Sequence, residues 1–280
     1  MSQLKLACCD FSFPLLPHEH ALDLIAMLGL DGVDIGVMGA DSHTRPQDIT
    51  RNVLRASRDL SAKLRRCGLE ASDVFLIPGS FKYLSPNHPH AKVRGESRDL
   101  FLHVLDYTAR CNGRHMSGEP GIPWKGASPA DSLKRSAEEL AWRVEQAADA
   151  GVVFSVEPHL WSVAPTPKQV QRLLKMTPGL TLTLDYSHFA YQDIPDREVE
   201  PLLGNASHFH ARGAAKKRRQ TRLKDSAIDY KRVLSVMKRC RYQGYISLEF
   251  EYHDVDPGNE VDVLSETILL RDLLLGHTRK

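Results

Sequence analysis

The sequence predicts an α/β protein whose parallel strands close into a single (β/α)₈ barrel. Short apolar runs alternate with helical patterns along the chain, and eight such pairs fit within its 280 residues. Strand–helix alternation is typical of a parallel sheet, and roughly 250 residues is a usual length for one closed barrel. We therefore expect one barrel domain over residues 1–280, without a separate C-terminal domain. A doubly wound open sheet is the alternative, but its usual G-x-G-x-x-G and Walker motifs are absent from the sequence.

The first four predicted strands are short apolar runs, each followed by a turn residue or a polar residue. They cover residues 4–9, 32–36, 71–77 and 114–117. The helices that follow them repeat apolar side chains three or four positions apart, over residues 17–28, 46–66, 98–111 and 131–150. Gly68 and Gly151 end the second and fourth helices, because glycine readily adopts the left-handed conformation found at helix C-termini.

The second half of the chain repeats this pattern four more times. Strands are predicted over residues 152–156, 180–184, 207–210 and 245–250. Helices are predicted over residues 168–175, 198–203, 230–239 and 262–275. The strand over 152–156 is almost continuously β-branched or aromatic, which is typical of a strand that is buried on both faces.

Composition is that of an ordinary soluble globular protein. Charged residues make up 26% of the chain and hydrophobic residues 42%, which excludes wholesale disorder. The net charge is only +2, which argues against a general nucleic-acid binder. Five cysteines without a C-x-x-C motif disfavour a disulfide framework or a structural zinc site. The sequence shows neither a signal peptide nor the apolar stretch of about 18 residues that spans a membrane, so we expect a cytoplasmic protein.

The positive charge is concentrated in one segment, residues 212–224. This segment contains seven lysines and arginines and no acid, so the rest of the chain sums to −5 when the seven are taken from the total of +2. One interpretation is a solvated, mobile loop. The other is a lid whose cations meet a phosphate or carboxylate of the substrate, with Arg212 and Gln220 as candidate contacts.

Polar side chains follow the fifth to eighth predicted strands, at the point where each strand ends. A carboxylate or an imidazole stands at each of these four ends, namely Glu157 with His159, Asp185 with His188, His208 with His210, and Glu249 with Glu251. A single such residue is often a helix N-cap or a structural histidine. Four in register converge on one axis, and buried carboxylates without a cation are costly. The sequence therefore predicts a divalent metal site of oxygen and nitrogen ligands, suited to Mn²⁺, Mg²⁺, Co²⁺ or Zn²⁺.

The sequences EPH, LDYSHF, HFHARG and LEF, in this order, resemble the xylose-isomerase-like TIM-barrel superfamily, which includes sugar phosphate isomerases and epimerases. The resemblance covers nearly the whole chain and implies that one divalent ion, with Mn²⁺ as the first choice, is held by Glu157, Asp185, His210 and Glu249. It also implies that His188 contacts the substrate and that His208 lies next to the site. Glu251 lies two residues after Glu249 and is an alternative ligand, although the resemblance favours Glu249.

The chemistry that this resemblance implies is proton transfer beside the carbonyl of a sugar or keto-sugar. The ion acts as a Lewis acid that stabilises an enediolate. Glu157 and Glu249 are then the acid/base pair of an isomerase or epimerase. His159 opens an alternative, because some relatives that cleave 3-keto-glycosides, such as C-glycoside deglycosidases, use an E-x-H histidine as base. A metal-dependent lyase or dehydratase is therefore the second candidate, and a hydrogen-bonded loop histidine is the third interpretation of His159.

Several substrate contacts remain open. Epimerases of the family place an arginine six residues after the metal histidine, where this chain has Lys216. Glu119 ends the fourth strand and Trp161 lies in the loop after the fifth, where aromatic rings often stack on sugars.

Apurinic endonucleases share the superfamily, but their D-x-H motif is missing from residues 225–231, so we expect no nucleic-acid partner. A non-enzymatic binding barrel is a further alternative, and family habit suggests a homo-oligomer.

Overall fold

The computed structural model describes residues 4–39, 42–252 and 261–278, with side chains through residue 276. Within these residues, eight parallel strands pair in chain order and the last pairs with the first, which closes the barrel. The strands are β1 (Leu6–Cys9), β2 (Gly32–Val37), β3 (Glu70–Leu76), β4 (His115–Gly118), β5 (Val153–Val156), β6 (Thr181–Asp185), β7 (Ala206–Ala211) and β8 (Ile246–Leu248). The predicted (β/α)₈ fold class is confirmed.

Helices follow the strands and cover the outside of the barrel. The described α-helices are α1 (His18–Met27), α2 (Pro46–Arg51), α3 (Val53–Cys67), α4 (Ala91–Arg110), α5 (Pro129–Asp149), α6 (Pro167–Met176), α7 (Ser187–Tyr191), α8 (Asp196–Val199), α9 (Tyr230–Arg239) and α10 (Val263–Thr278). No helix in the described ranges is both long enough and apolar enough to cross a membrane.

The single helix predicted over 46–66 is wrong, because two helices meet there at Asn52. The backbone of Asn52 is extended, and its side-chain oxygen accepts a hydrogen bond from the Arg55 amide at 2.9 Å. Asparagine favours this capping position over a helix interior. The helix predicted over 98–111 also starts earlier than predicted, because α4 begins at Ala91. Arg94 anchors this extra length by donating to Glu139 of α5 and to the His88 carbonyl.

The two faces of the strands have opposite chemistry. Outward side chains such as Ile35, Phe154 and Leu184 join the apolar core beneath the helices. Buried polar side chains instead hydrogen-bond to one another between strands, for example Ser155 with Thr183 at 2.6 Å. Residues 154–156 of β5 are buried on both faces, as expected, although Ser155 shows that the inside of this barrel is polar.

Strand register decides which polar side chains share a level of the barrel. Cys9 pairs with Asp34 between β1 and β2, and Asp34 pairs with Asp73 between β2 and β3. On the other side of the barrel, Asp185 of β6 pairs with His210 of β7. Since all strands are parallel, the residues at their carboxyl ends meet at one end of the barrel.

Candidate active site

Four side chains at the carboxyl ends of β5 to β8 form the centre of the candidate site. They are the predicted ligands, each at most 6% exposed: Glu157, Asp185, His210 and Glu249. His210 Nδ1 lies 2.7 Å from Glu157 Oε1 and 3.2 Å from Glu249 Oε1. Two carboxylates from β5 and β8 thus flank one ring nitrogen of β7. The structure brings the predicted quartet together in one buried cluster.

Asp185 is held in place by the turn that follows β6. The Ser187 amide donates to Asp185 Oδ1 at 2.7 Å, and the Ser187 hydroxyl donates to Oδ2 at 2.5 Å. The short helix α7 then places His188 Nε2 3.6 Å from Asp185 Oδ2 and 3.9 Å from Glu157 Oε2. Burial lowers the pKa of His188 to about 4, so this imidazole is neutral at physiological pH. His188 thus lies next to two members of the quartet, Asp185 and Glu157.

Electrostatic balance within the cluster depends on His210. Burial alone would lower the pKa of His210, but the Glu249 charge and close contacts with Asp34 and the two glutamates raise it well above its ordinary value. Burial and the nearby Glu249 carboxylate raise the pKa of Glu157. Without a metal ion, a protonated imidazole therefore supplies positive charge between the carboxylates.

Arg212 supplies the second positive charge, two residues after His210. Its side chain is buried, and one guanidinium nitrogen lies 2.8 Å from Asp185 Oδ2 and 3.5 Å from Glu249 Oε2. The other terminal nitrogen lies 2.9 Å from Glu251 Oε2, and Nε donates to the Ser187 hydroxyl at 3.0 Å. Glu251, the alternative ligand, is thus turned towards Arg212, whereas Glu249 faces His210.

The donor set of the cluster fits a divalent cation. The ligating atoms of Glu157 and Asp185, with His188, lie within 4.8 Å of one another, and His210 and Glu249 form a second such group with Cys9. Glu249 Oε2 is buried and has no hydrogen-bond partner among the described residues. Three carboxylates and one imidazole suit Mn²⁺, Mg²⁺, Co²⁺ or Zn²⁺. A bound ion would replace the His210 proton as the charge between the two glutamates.

His159 lies beside the quartet and contacts a carboxylate outside it. His159 Nε2 is buried without a hydrogen bond among the described residues and lies 3.6 Å from Glu119 Oε1. Its ring stacks on Phe81 at a centroid distance of 4.4 Å, and Phe81 lies 5.5 Å from Trp161. Burial lowers the pKa of His159 to about 3, and burial raises the pKa of Glu119 well above its usual range. Phe81, His159 and Trp161 form an aromatic wall next to the cluster.

The basic segment 212–224 is described throughout, and only part of it reaches the site. Gln220 exchanges two hydrogen bonds with the Glu251 backbone, at 2.7 and 2.8 Å, so it holds the chain after β8. Lys216 instead is 63% exposed and pairs with Asp193 at 2.6 Å. The segment therefore brings Arg212 to the cluster and Gln220 to its edge, while Lys216 points away from both.

A second polar level lies below the quartet, and only its His208 was among the predicted site residues. His208 donates to Asp34 Oδ2 at 2.7 Å, and His115 bonds to Asp73 Oδ1 at 2.7 Å. Asp34 and Asp73 were not among the predicted site residues. The available signal was an aspartate in the middle of an otherwise apolar strand, which in a barrel has to point inward to a polar partner.

Comparison with known proteins agrees with this architecture. The sequence model of the xylose isomerase-like TIM barrel family matches residues 22–272. The chain belongs to this family. No curated protein sequence matches the chain.

Solved structures with the same fold include an epimerase-like protein, an epimerase and a probable dehydratase. A D-tagatose 3-epimerase-like protein has a TM-score of 0.75 and 18% identity, covering 99% of this chain and 97% of that one. The 3-keto-D-glucoside 4-epimerase YcjR from E. coli has a TM-score of 0.71 and 15% identity, covering 96% and 99%. The probable 3-DHS dehydratase AsbF from Bacillus anthracis has a TM-score of 0.72 and 14% identity, covering 96% and 99%. At these identities the likeness shows the fold alone.

Proposed function

We propose that the protein is a divalent-metal-dependent isomerase or epimerase that acts on a sugar or keto-sugar. The observation that carries this proposal is that Glu157 and Glu249, from β5 and β8, flank the Nδ1 atom of His210 at 2.7 and 3.2 Å. Asp185 completes a set of ligands for one ion, with Mn²⁺ as the first to test. A sugar as substrate is supported by the family and by the epimerases that share the fold.

An ion held by the quartet would polarise the carbonyl of the substrate and the adjacent hydroxyl. The protein itself would move the proton. One glutamate removes the proton from the carbon beside the carbonyl, and the electron pair moves onto the carbonyl oxygen. For epimerisation, the other glutamate in its protonated form returns a proton to the opposite face, which inverts that carbon. For isomerisation, a proton goes to the former carbonyl carbon, and the hydroxyl proton of the first carbon passes to the former carbonyl oxygen, which moves the carbonyl by one position. Burial, which raises the pKa of both carboxyls, favours this exchange of protons.

The other polar side chains have supporting roles in this proposal. His188 is neutral and lies beside Asp185 and Glu157, so it can donate a hydrogen bond to a substrate hydroxyl. Arg212 is committed to the carboxylates of the cluster, so it stabilises the ligands instead of reaching out to a phosphate. Glu119 and Trp161 lie on the side of the aromatic wall, where they would contact the far end of the sugar.

The decisive experiment is an exchange assay in D₂O. The Mn²⁺-loaded protein is incubated with a panel of ketoses and 3-keto-glucosides, and the recovered sugars are analysed by NMR and mass spectrometry. We expect deuterium at the carbon beside the carbonyl of one substrate, with epimer or isomer formed. Glu157→Gln and Glu249→Gln should each abolish the exchange, while Lys216→Ala should retain it. Metal-loaded wild-type protein that exchanges no proton in any of these sugars, and releases nothing from them, would contradict the proposal.

A lyase or dehydratase is the second candidate, favoured by His159. Its buried Nε2 atom lies 3.6 Å from Glu119 Oε1, within the aromatic wall. A probable dehydratase also shares the fold. In this reaction His159 takes the proton beside the carbonyl, and the electron pair expels a hydroxyl or an alkoxide from the next carbon. The same assay would then show an enone and a released group. His159→Ala should abolish that release while the metal stays bound, and unchanged release would exclude His159 as the base.

A further inference from the structure

Asp34 lies directly below the quartet and faces both histidines of β7. Its Oδ2 atom accepts a hydrogen bond from His208 Nε2 at 2.7 Å and lies 3.3 Å from His210 Nε2. Its Oδ1 atom accepts from the Ser72 hydroxyl at 2.6 Å. Because the Asp34 side chain is fully buried, these partners and not water fix its orientation. One of its oxygens is therefore held towards His210.

The two ring nitrogens of His210 face opposite levels of the barrel. Nδ1 faces Glu157 and Glu249, where the metal would bind, and Nε2 faces Asp34. Nε2 is buried and completes no hydrogen bond among the described residues. When an imidazole binds a metal through Nδ1, its remaining proton is on Nε2 and needs an acceptor. Asp34 Oδ2 is a carboxylate oxygen already in place for it.

We infer that Asp34 is a positioning residue, which accepts the Nε2 proton of His210 and so orients Nδ1 towards the metal ion. The inference rests on the proposed function, since the ion is the one proposed for the quartet. Asp34 contacts neither the ion nor the sugar and acts only through His210. Carboxylates in this outer position typically contribute 10- to 100-fold to metal affinity, because they fix the ring orientation and raise its basicity.

Asp73 provides a matched control on the adjacent strand. It pairs with Asp34 in the register of β2 and β3, and its side chain is equally buried. It also bonds to one histidine and one serine, with His115 at 2.7 Å and Ser117 as its partners. Ligating atoms of both aspartates lie in one group with His208 and His210. The hydrogen bonds of Asp73, however, go to β4 and not to His210.

The test is Mn²⁺ binding by isothermal titration calorimetry to metal-free wild type, Asp34→Asn and Asp73→Asn, together with the metal-free Tm of each. Both variants lose a buried charge with its partners, so both should unfold at a lower temperature. We expect Asp34→Asn to weaken Mn²⁺ binding about 10- to 100-fold and Asp73→Asn to keep the wild-type affinity. A merely structural role of Asp34 would lower the Tm without separating the two affinities.

Wild-type affinity in Asp34→Asn, or an equal loss in both variants, would overturn the inference while leaving the proposed function intact. If Asp34→Asn does not fold, Ser72→Ala takes its place, because it removes one donor that orients the carboxylate. A measurable loss of Mn²⁺ affinity in Ser72→Ala is then expected, and an unchanged affinity overturns the inference. Wild-type protein that binds no Mn²⁺ would contradict the proposed function and this inference together.

Discussion

The guanidinium of Arg212 lies 2.8 Å from the carboxylate of Asp185, inside the cluster of the proposed metal ligands. This contact makes a residue of the basic segment part of the site's electrostatic balance. Removing one partner of a buried ion pair typically costs about 3–5 kcal/mol, because the other charge stays buried. The arginine closest in sequence to His210 is therefore more than a solvated cation.

Arg212→Ala should lower the Tm of the metal-free protein by an amount on the order of 10 °C, since each kcal/mol shifts a protein of this size by a few degrees. Mn²⁺ should raise the Tm of this variant more than that of the wild type, because the carboxylates then lack a counter-charge. Differential scanning calorimetry with and without Mn²⁺ measures both effects. Lys216→Ala is the control, since Lys216 is exposed and pairs with Asp193 at the surface. Equal metal-free Tm values for the two variants would show that Arg212 has no such role.

The two glutamates after β8 are predicted to differ in metal binding. Glu249 lies 3.2 Å from His210 Nδ1, whereas Glu251 lies 2.9 Å from Arg212. Glu249→Gln should therefore lose the ion during dialysis, and Glu251→Gln should retain about one ion per chain. Inductively coupled plasma mass spectrometry on the dialysed proteins gives the ratio of metal to protein. The reverse pattern would make Glu251 the ligand.

Trp161 is predicted to bind substrate without taking part in the chemistry. Trp161 is 45% exposed, and its ring centroid lies 5.5 Å from that of Phe81, beside His159. An aromatic stacking contact contributes about 0.5–1.5 kcal/mol, so Trp161→Ala should raise KM by roughly three- to tenfold and leave kcat nearly unchanged. Trp161→Phe keeps an aromatic ring, so its KM should stay close to that of the wild type. Steady-state kinetics would refute this role if kcat fell and KM did not change.

Gly213 is predicted to be essential for the shape of the basic segment. A Cβ atom at this position would lie 2.4 Å from the Thr221 carbonyl oxygen, and the Thr221 amide donates to the Gly213 carbonyl at 2.8 Å. Gly213→Ala should therefore push the backbone at residue 213 away from Thr221 and lower the free energy of unfolding by about 1–3 kcal/mol. Limited trypsin digestion should cleave the variant faster after the exposed Lys216 and Lys217.

Gly204→Ala is the matched control, because a Cβ atom there meets nothing within 4 Å. It should be cleaved at the wild-type rate. If Gly213→Ala also resists trypsin like the wild type, the close approach to Thr221 does not shape the segment.

The fold was predictable because each strand and helix has a local signal. Residues 230–239 were predicted as a helix with the bounds of α9, and in the structure the Asp229 side chain caps this helix. The break at Asn52 was not predictable from periodicity, because the apolar pattern continues through it. The second helix starts there because the Asn52 side chain accepts a hydrogen bond from the Arg55 amide.

The quartet was predictable from the polar residues that end neighbouring strands, and the resemblance selected Glu249 over Glu251. The contacts of Arg212 and Asp34 were not predictable, because they depend on the direction of side chains on strands that are far apart in sequence. Asp34 and His208, for example, are separated by 174 positions. Sequence spacing alone shows neither which oxygen of Asp34 faces His210 nor that Arg212 turns inward while Lys216 turns out.

The most direct test of the account is an anomalous difference map from crystals grown with Mn²⁺. We expect one peak per chain within coordinating distance of Glu157, Asp185, His210 and Glu249, with the Nδ1 atom of His210 towards the ion. A peak elsewhere in the barrel, or the absence of a peak at these four side chains in crystals grown at saturating Mn²⁺, would contradict this expectation.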